Sequence, residues 1–324
     1  MGRKTLEQQI AHVCHEKIAF GESRHLAKEM LREKLGDNYK FGMSDDKIHS
    51  IQTFKTYSKV GREYSAWLIK EKGLGKYSRL ENTEQYAKEY IEYRLEHGVS
   101  VWTAKMERSA LGKLYNKTIE MEMPVRNQNN VTRSRNDCEH DKHFSVKNHS
   151  SEILVATATG TRREDLYKIA IKDFEEHNNH LYVRINGSKG GRNRLAPVLP
   201  TKEQEIKDLL TDMKQQGKKE NEPLFHHVSK NMDVHSYRRN YAKDLLAYVE
   251  QNKDYKEQVL KQYPERHEYR TITNKQTGEK EIHEIKSEYY SPRDEDKKYL
   301  RDDLYIVSQG LGHNRIDVTH SYIK

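Results

Sequence analysis

The sequence predicts a mainly α-helical protein of two domains, the second of which adds a small antiparallel β-sheet. Three observations predict it. The 324 residues suit two domains of about 100–200 residues each. Apolar residues recur at three- and four-residue spacing over most of the chain, as in helices that bury one face. Between Tyr182 and Leu199, two short apolar runs instead flank a turn rich in Gly, Lys and Arg, a β-hairpin pattern with a basic tip.

In chain order, residues 1–45 read as an N-terminal helical arm, with Leu6, Ile10 and Val13 and then Leu26, Met30 and Leu31 interleaved with Lys and Arg. A helical domain follows over 46–122. Its first helix carries Ile51, Phe54, Tyr57, Val60, Tyr64, Trp67 and Leu68 on one stripe and ends at Gly73 and Gly75. A second holds Tyr86, Tyr90 and Leu95 and ends at Gly98; Ser100 or Thr103 caps a third through Met106, Ala110, Leu111 and Leu114. Residues 123–142 are polar and aperiodic, as a linker is, and 143–324 form the second domain. There, Ile153 to Ala156 precede the hairpin, Thr201 is the expected cap of a helix with Ile206, Leu209, Leu210 and Met213, and another helix begins near His235. Residues from about 252 to 298, dense in Lys, Glu and Tyr, read as a solvated insertion with a hairpin over Arg270 to Ile285. Leu304 to Leu311 returns to an apolar pattern.

Lys and Arg number 58 against 50 Asp and Glu, a net charge of +8, which favours a polyanionic partner such as nucleic acid. Cys14 and Cys138 show no pairing pattern, as expected in a reducing cytoplasm. The N-terminus has no apolar signal region, and no apolar run reaches the roughly 18–20 residues that cross a bilayer, so a soluble protein with no membrane association is expected. The run Cys138-Glu139-His140-Asp141-Lys142-His143 has metal-friendly side chains but lacks the second spaced pair of a structural zinc site, and no metal is expected there.

Five segments carry groups suited to one phosphodiester: Thr159-Gly160-Thr161-Arg162-Arg163-Glu164-Asp165-Leu166; Gly187-Ser188-Lys189-Gly190-Gly191-Arg192; His235-Ser236-Tyr237-Arg238; Leu311-Gly312-His313; and Tyr322, nine positions beyond His313. Their order and spacing resemble the tyrosine recombinases, or phage integrases. The catalytic domain of that family carries Thr-Gly-x-Arg, a hairpin lysine, His-x-x-Arg, Leu-Gly-His and a tyrosine nucleophile. The resemblance covers the whole second half and, more weakly, Ser100 through Leu111. It implies a helical core-binding (SAM-like) domain and a mixed α/β catalytic domain that together clamp duplex DNA.

Carried over by position, the resemblance makes Arg162, Lys189, His235, Arg238, His313 and Tyr322 catalytic, with Asp165 in support. Arg163 is the rival for the first arginine, but the Thr-Gly-x-Arg spacing selects Arg162. Arg163, Arg192, Arg194, Lys105, Arg108 and Arg239 are the expected DNA contacts. The chemistry explains the residue types. Two guanidiniums that stay protonated suit an anionic phosphodiester that gains charge on attack. A tyrosine, with a pKa near 10, needs a proton acceptor, for which His235 is the first candidate by family analogy. The departing 5′ oxygen needs a proton donor, for which Lys189 is suited, with His313 bonding a nonbridging oxygen. The scheme requires no cofactor, neither ATP nor metal.

The leading expectation is therefore a site-specific recombinase or integrase of mobile-element or plasmid DNA, in the bacterial cytoplasm. It would work through a 3′-phosphotyrosine as a homo-tetramer on paired sites, as a monomer or weak oligomer without DNA, and with an accessory bending or excision factor as a candidate partner. The alternatives are a type IB topoisomerase or telomere resolvase, and a sequence-specific DNA-binding protein without catalysis. Two features depart from the family: about 75 residues separate Arg238 from His313, which implies the insertion, and the chain stops at Lys324, where relatives continue into a tail that docks on the next subunit.

Overall fold

The computed structural model describes all residues except 1, 40–42, 44, 126–143, 190, 274–279, 293–296, 314 and 324. The expected linker and the Cys138–His143 run thus lie almost wholly or wholly outside the described residues. The chain divides into two compact units, Met1–Val131 and Thr132–Lys324. Among the described residues, no helix is long and apolar enough to cross a membrane.

The first unit is helical. Helix α1 (Leu6–Glu16) starts at a capping box in which Thr5 and Gln8 bond each other's backbone N–H. Ser23, Ser50 and Ser100 cap α2 (Arg24–Leu35), α3 (Ile51–Glu71) and α5 (Val101–Tyr115), and α4 (Ala87–Glu96) lies between the last two. Leu6, Ile10 and Cys14 of α1 share one core with Val60, Tyr64, Leu68, Tyr90, Ile91 and Leu111. Of the N-terminal helices, α1 thus packs into the helical body, whereas α2 buries no residue. The buried carboxylate of Glu107 is matched by a forked pair of bonds from Arg94.

The second unit is built around a three-stranded antiparallel sheet in the order β1 (Phe174–His177), β2 (His180–Ser188), β3 (Arg192–Pro197). The hairpin is the one read from the sequence; β1, short and rich in Glu, is not legible there. Alternation along β2 sends Leu181, Val183 and Ile185 into one core with α6 (Ser150–Thr159) and α8 (Glu203–Gln215), and Tyr182 into another with α9 (Val234–Gln251), α11 (Arg301–Leu311) and α12 (Ile316–Ile323). Each large apolar side chain so buried contributes roughly 1.5–3 kcal/mol. A register shift between Ile185 and Ser188 bends the end of β2, as a bulge does. Thr201 does not cap α8: it lies within a 3-10 turn, Pro200–Lys202, and the helix begins after it.

The insertion is only partly a solvated projection. Its first part is α10 (Lys253–Leu260), whose Tyr255 and Val259 are buried with Leu245, Leu304 and Val307. A hairpin of β4 (Tyr269–Thr273) and β5 (Lys280–Glu284) follows, where the sequence places one, though the turn residues Asn274 to Gly278 lie outside the described residues. The segment leading into β4 is tied to the start of α11 by Arg266–Asp302 and Arg301–Glu268 ion pairs at 2.9 and 2.6 Å. In the short pair β6 (Tyr289–Tyr290) and β7 (Tyr299–Leu300), Tyr290 and Tyr299 each place a ring 6.0 Å from His320 on α12, two residues before Tyr322.

Candidate active site

The site assembles where two helices end. Helix α6 stops at Gly160, whose φ of +58° suits glycine, and a Cβ there would come within 2.3 Å of the Tyr241 ring. The chain then extends through Arg162 into the single turn α7 (Arg163–Leu166), and the Asp165 carboxylate accepts the Arg162 backbone N–H at 3.1 Å. Helix α11 likewise stops at Gly312, with φ +64°. Carbonyls at a helix C-terminus lack intrahelical donors and carry partial negative charge, so they attract cations. Both ends receive guanidiniums: Arg238 donates to Gly160 O and Leu311 O, and Arg162 Nη2 donates to Leu311 O at 3.3 Å.

Arg238, on α9 and 1% exposed, is the largest fully buried side chain among the described residues. Burial first, and then repulsion from Arg162 and Arg194, lowers its pKa to about 10, which leaves it charged at neutral pH. Its Nη2 lies 3.3 Å from His313 Nε2. A guanidinium only donates, so that nitrogen accepts and the imidazole proton is assigned to Nδ1, which is buried and unpartnered. Burial, reinforced by Arg238, Arg162, Arg194 and Arg192, pushes His313 down to about 3, so the ring is neutral. Tyr322 completes the group. Its ring lies 5.0 Å from that of His313 and 5.5 Å from Arg238 Cζ.

The structure thus brings Arg162, Arg238, His313 and Tyr322 together, although they are scattered over 160 positions of sequence. Lys189 stands exposed in the β2–β3 turn, directly after the buried Ser188, whose Oγ accepts from Arg162 Nη1 at 2.9 Å. His235 is exposed in the first turn of α9, three residues before Arg238 and so on the same helix face. Arg192 is exposed and Arg239 half-buried. Lys105 and Arg108 are half-buried on α5 in the other unit, and Arg108 donates to Met121 O at 3.4 Å.

Two of the expected phosphate contacts bond groups of the protein itself. The Arg163 guanidinium is engaged by the backbone carbonyls of Ser229, Lys230 and Met232, so it fastens a loop. Arg194 has a side chain only 6% exposed and bonds Asp165 and Ser188 inside the site. The sequence shows both as arginines in basic runs, and nothing in a basic run distinguishes an inward from an outward residue. Ser188, too, was missed: a small residue between Gly187 and Lys189 carries no signal of its own.

Among the described residues, Asp165 is the carboxylate bonded to this cluster, so three guanidiniums face one acid. Charge of one sign gathered in a low-dielectric site is costly, and an anion such as a phosphate would offset it. Among the described residues, no group of three or more His, Cys, Asp or Glu is placed to hold a metal ion.

The fold, mostly helical with small antiparallel sheets, is similar to that of solved site-specific recombinases. The solved structures it resembles include the XerH site-specific recombinase bound to difH substrate in a pre-cleavage complex: 14% identity, 99% of this chain and 94% of that one covered, TM-score 0.51. The same recombinase on palindromic difH in a post-cleavage complex gives 13% identity, coverage of 98% and 90%, and TM-score 0.50. At such identity the likeness is one of fold. No family model and no curated protein matches the sequence.

Proposed function

We propose that the protein is a tyrosine recombinase that cleaves and rejoins double-stranded DNA through Tyr322. The carrying observation is that Arg162, Arg238, His313 and Tyr322, the residues that the motif resemblance implies, meet around one cluster of excess positive charge.

In the proposed reaction the scissile phosphate sits against the guanidiniums of Arg162 and Arg238, which their bonds to the helix-end carbonyls hold in place. Donors fixed in this way need little reorganisation as charge grows on the nonbridging oxygens. The Tyr322 oxygen attacks phosphorus and the bond to the 5′ oxygen breaks. The phenolic proton passes to His235, and the leaving oxygen takes one from Lys189. His313, neutral beside Arg238, hydrogen-bonds a nonbridging oxygen. The product is a 3′-phosphotyrosine and a free 5′ hydroxyl, and a 5′ hydroxyl of another strand reverses the step, so no phosphodiester energy is lost. Exchange between paired sites then calls for a tetramer on DNA of a mobile element, as the motif resemblance implies.

The test is a nicked suicide duplex, drawn from DNA flanking the encoding gene, that loses its 5′ strand end after cleavage. The wild type should accumulate a protein–DNA adduct that withstands denaturation, and Tyr322→Phe should not. DNA binding with no adduct from the wild type would support a DNA-binding protein without catalysis. Relaxation of supercoils without exchange would support a topoisomerase.

A further inference from the structure

Asp165, Ser188 and Gly312 are each close in sequence to a residue of the proposed chemistry: three after Arg162, directly before Lys189, and directly before His313. One side chain meets all three. Arg194 Nη2 lies 3.0 Å from Asp165 Oδ2 and Nη1 lies 3.0 Å from Ser188 Oγ. Its stem runs so close over Gly312 that a Cβ there would be 2.8 Å from Arg194 Cδ. Ser188 Oγ accepts from Arg162 as well, so the two arginines share one acceptor.

The geometry points to a positioning role: resting on the cleavage reading, we propose that Arg194 locks the segments bearing Arg162, Lys189 and His313 into one register and does not itself touch DNA. A guanidinium suits the task because its planar fork reaches two acceptors at a fixed angle while its stem fills the space over a glycine; a lysine ammonium is a point charge without that fork. The lock is needed because the three segments belong to separate elements, the turn after α6, the β2–β3 tip and the end of α11. Arg194 spends both Nη1 and Nη2 on Ser188 and Asp165, in contrast with the exposed Arg192 two residues earlier.

The test compares the wild type, Arg194→Lys and Ser188→Ala as full chains in single-turnover adduct formation on the nicked duplex, over a range of DNA concentrations. The expected result for Arg194→Lys is a half-saturating DNA concentration within about twofold of wild type, with a rate at saturation about 100-fold lower, since a misplacement near 1 Å costs that much. Ser188→Ala, which removes one shared oxygen, should fall about 10-fold in rate at unchanged half-saturation, in keeping with the loss of a hydrogen bond to charged groups. A general loss of folding would lower the amplitude and leave the rate of the folded fraction alone, so the split between rate and half-saturation separates the two. Wild-type rates at saturation in Arg194→Lys, or a loss confined to DNA affinity, would overturn the proposal. If Arg194→Lys does not fold, a wild-type rate from Ser188→Ala overturns it instead. A wild type that forms no adduct at all refutes the cleavage reading, and this proposal with it.

Discussion

Replacing His313 by Gln should remove a measurable part of the protein's sensitivity to acid. The imidazole is held at about 3 in the folded state, against 6.5 as its ordinary value, by burial and by the guanidiniums around it. A group whose pKa is depressed on folding leaves stability intact above its unfolded pKa and removes it as the pH falls, because the unfolded chain binds a proton that the native site refuses. Between about pH 7 and pH 5 the linkage for a fully sequestered ring amounts to about 2 kcal/mol. The ring is partly open to solvent, and screening reduces this to about 1 kcal/mol. Urea unfolding of wild type and His313→Gln at the two pH values, at equal ionic strength, gives the double difference directly. With a slope of about 2 kcal/mol per molar urea, the wild-type midpoint should fall by about 0.5 M more than that of the variant. Parallel midpoints would mean that His313 titrates normally and is not enclosed by Arg238 and its neighbours, and the electrostatic description of the site would be wrong.

Gly160→Ala should cost about 3 kcal/mol or more in thermal unfolding, since it combines a positive φ with a contact of 2.3 Å to the Tyr241 ring; a stable variant would mean that the turn carrying Arg162 is not packed on α9. Lys189→Ala, at an exposed turn, should leave stability within about 0.5 kcal/mol while the cleavage rate falls about 100-fold, and an unchanged rate would remove Lys189 as proton donor. DNA affinity should fall linearly with salt on logarithmic axes, and Arg192→Ala should lessen that slope by about 1; a slope equal to wild type would show that Arg192 meets no phosphate.

The sequence spoke clearly wherever chemistry and periodicity coincide. Tyr64, Trp67 and Leu68 mark the face of α3 that is buried, and the motif resemblance pointed to Arg162, Arg238 and His313, which meet in space. It was silent about direction. Arg192 and Arg194 are neighbours on one strand with the same chemistry, and only the fold turns one to solvent and the other onto Asp165. The insertion shows the same limit. Its Lys, Glu and Tyr content suggested a solvated excursion, but Tyr255 enters the core, and Tyr290 and Tyr299 pack on His320, because tyrosines bury their rings when a partner surface is present. Contacts through backbone carbonyls, such as those of Gly160 and Leu311 to the arginines, leave no mark on residue identity at all.

The most direct measurement is the site of covalent attachment. After reaction with the nicked duplex, nuclease and trypsin digestion would release Ile316–Lys324, a peptide whose single tyrosine is Tyr322. Mass spectrometry should find that peptide carrying a nucleotide linked through its 3′ phosphate. An adduct mapped to any other residue, or an unmodified Tyr322 peptide from a reaction that has cut DNA, would contradict the assignment of the nucleophile.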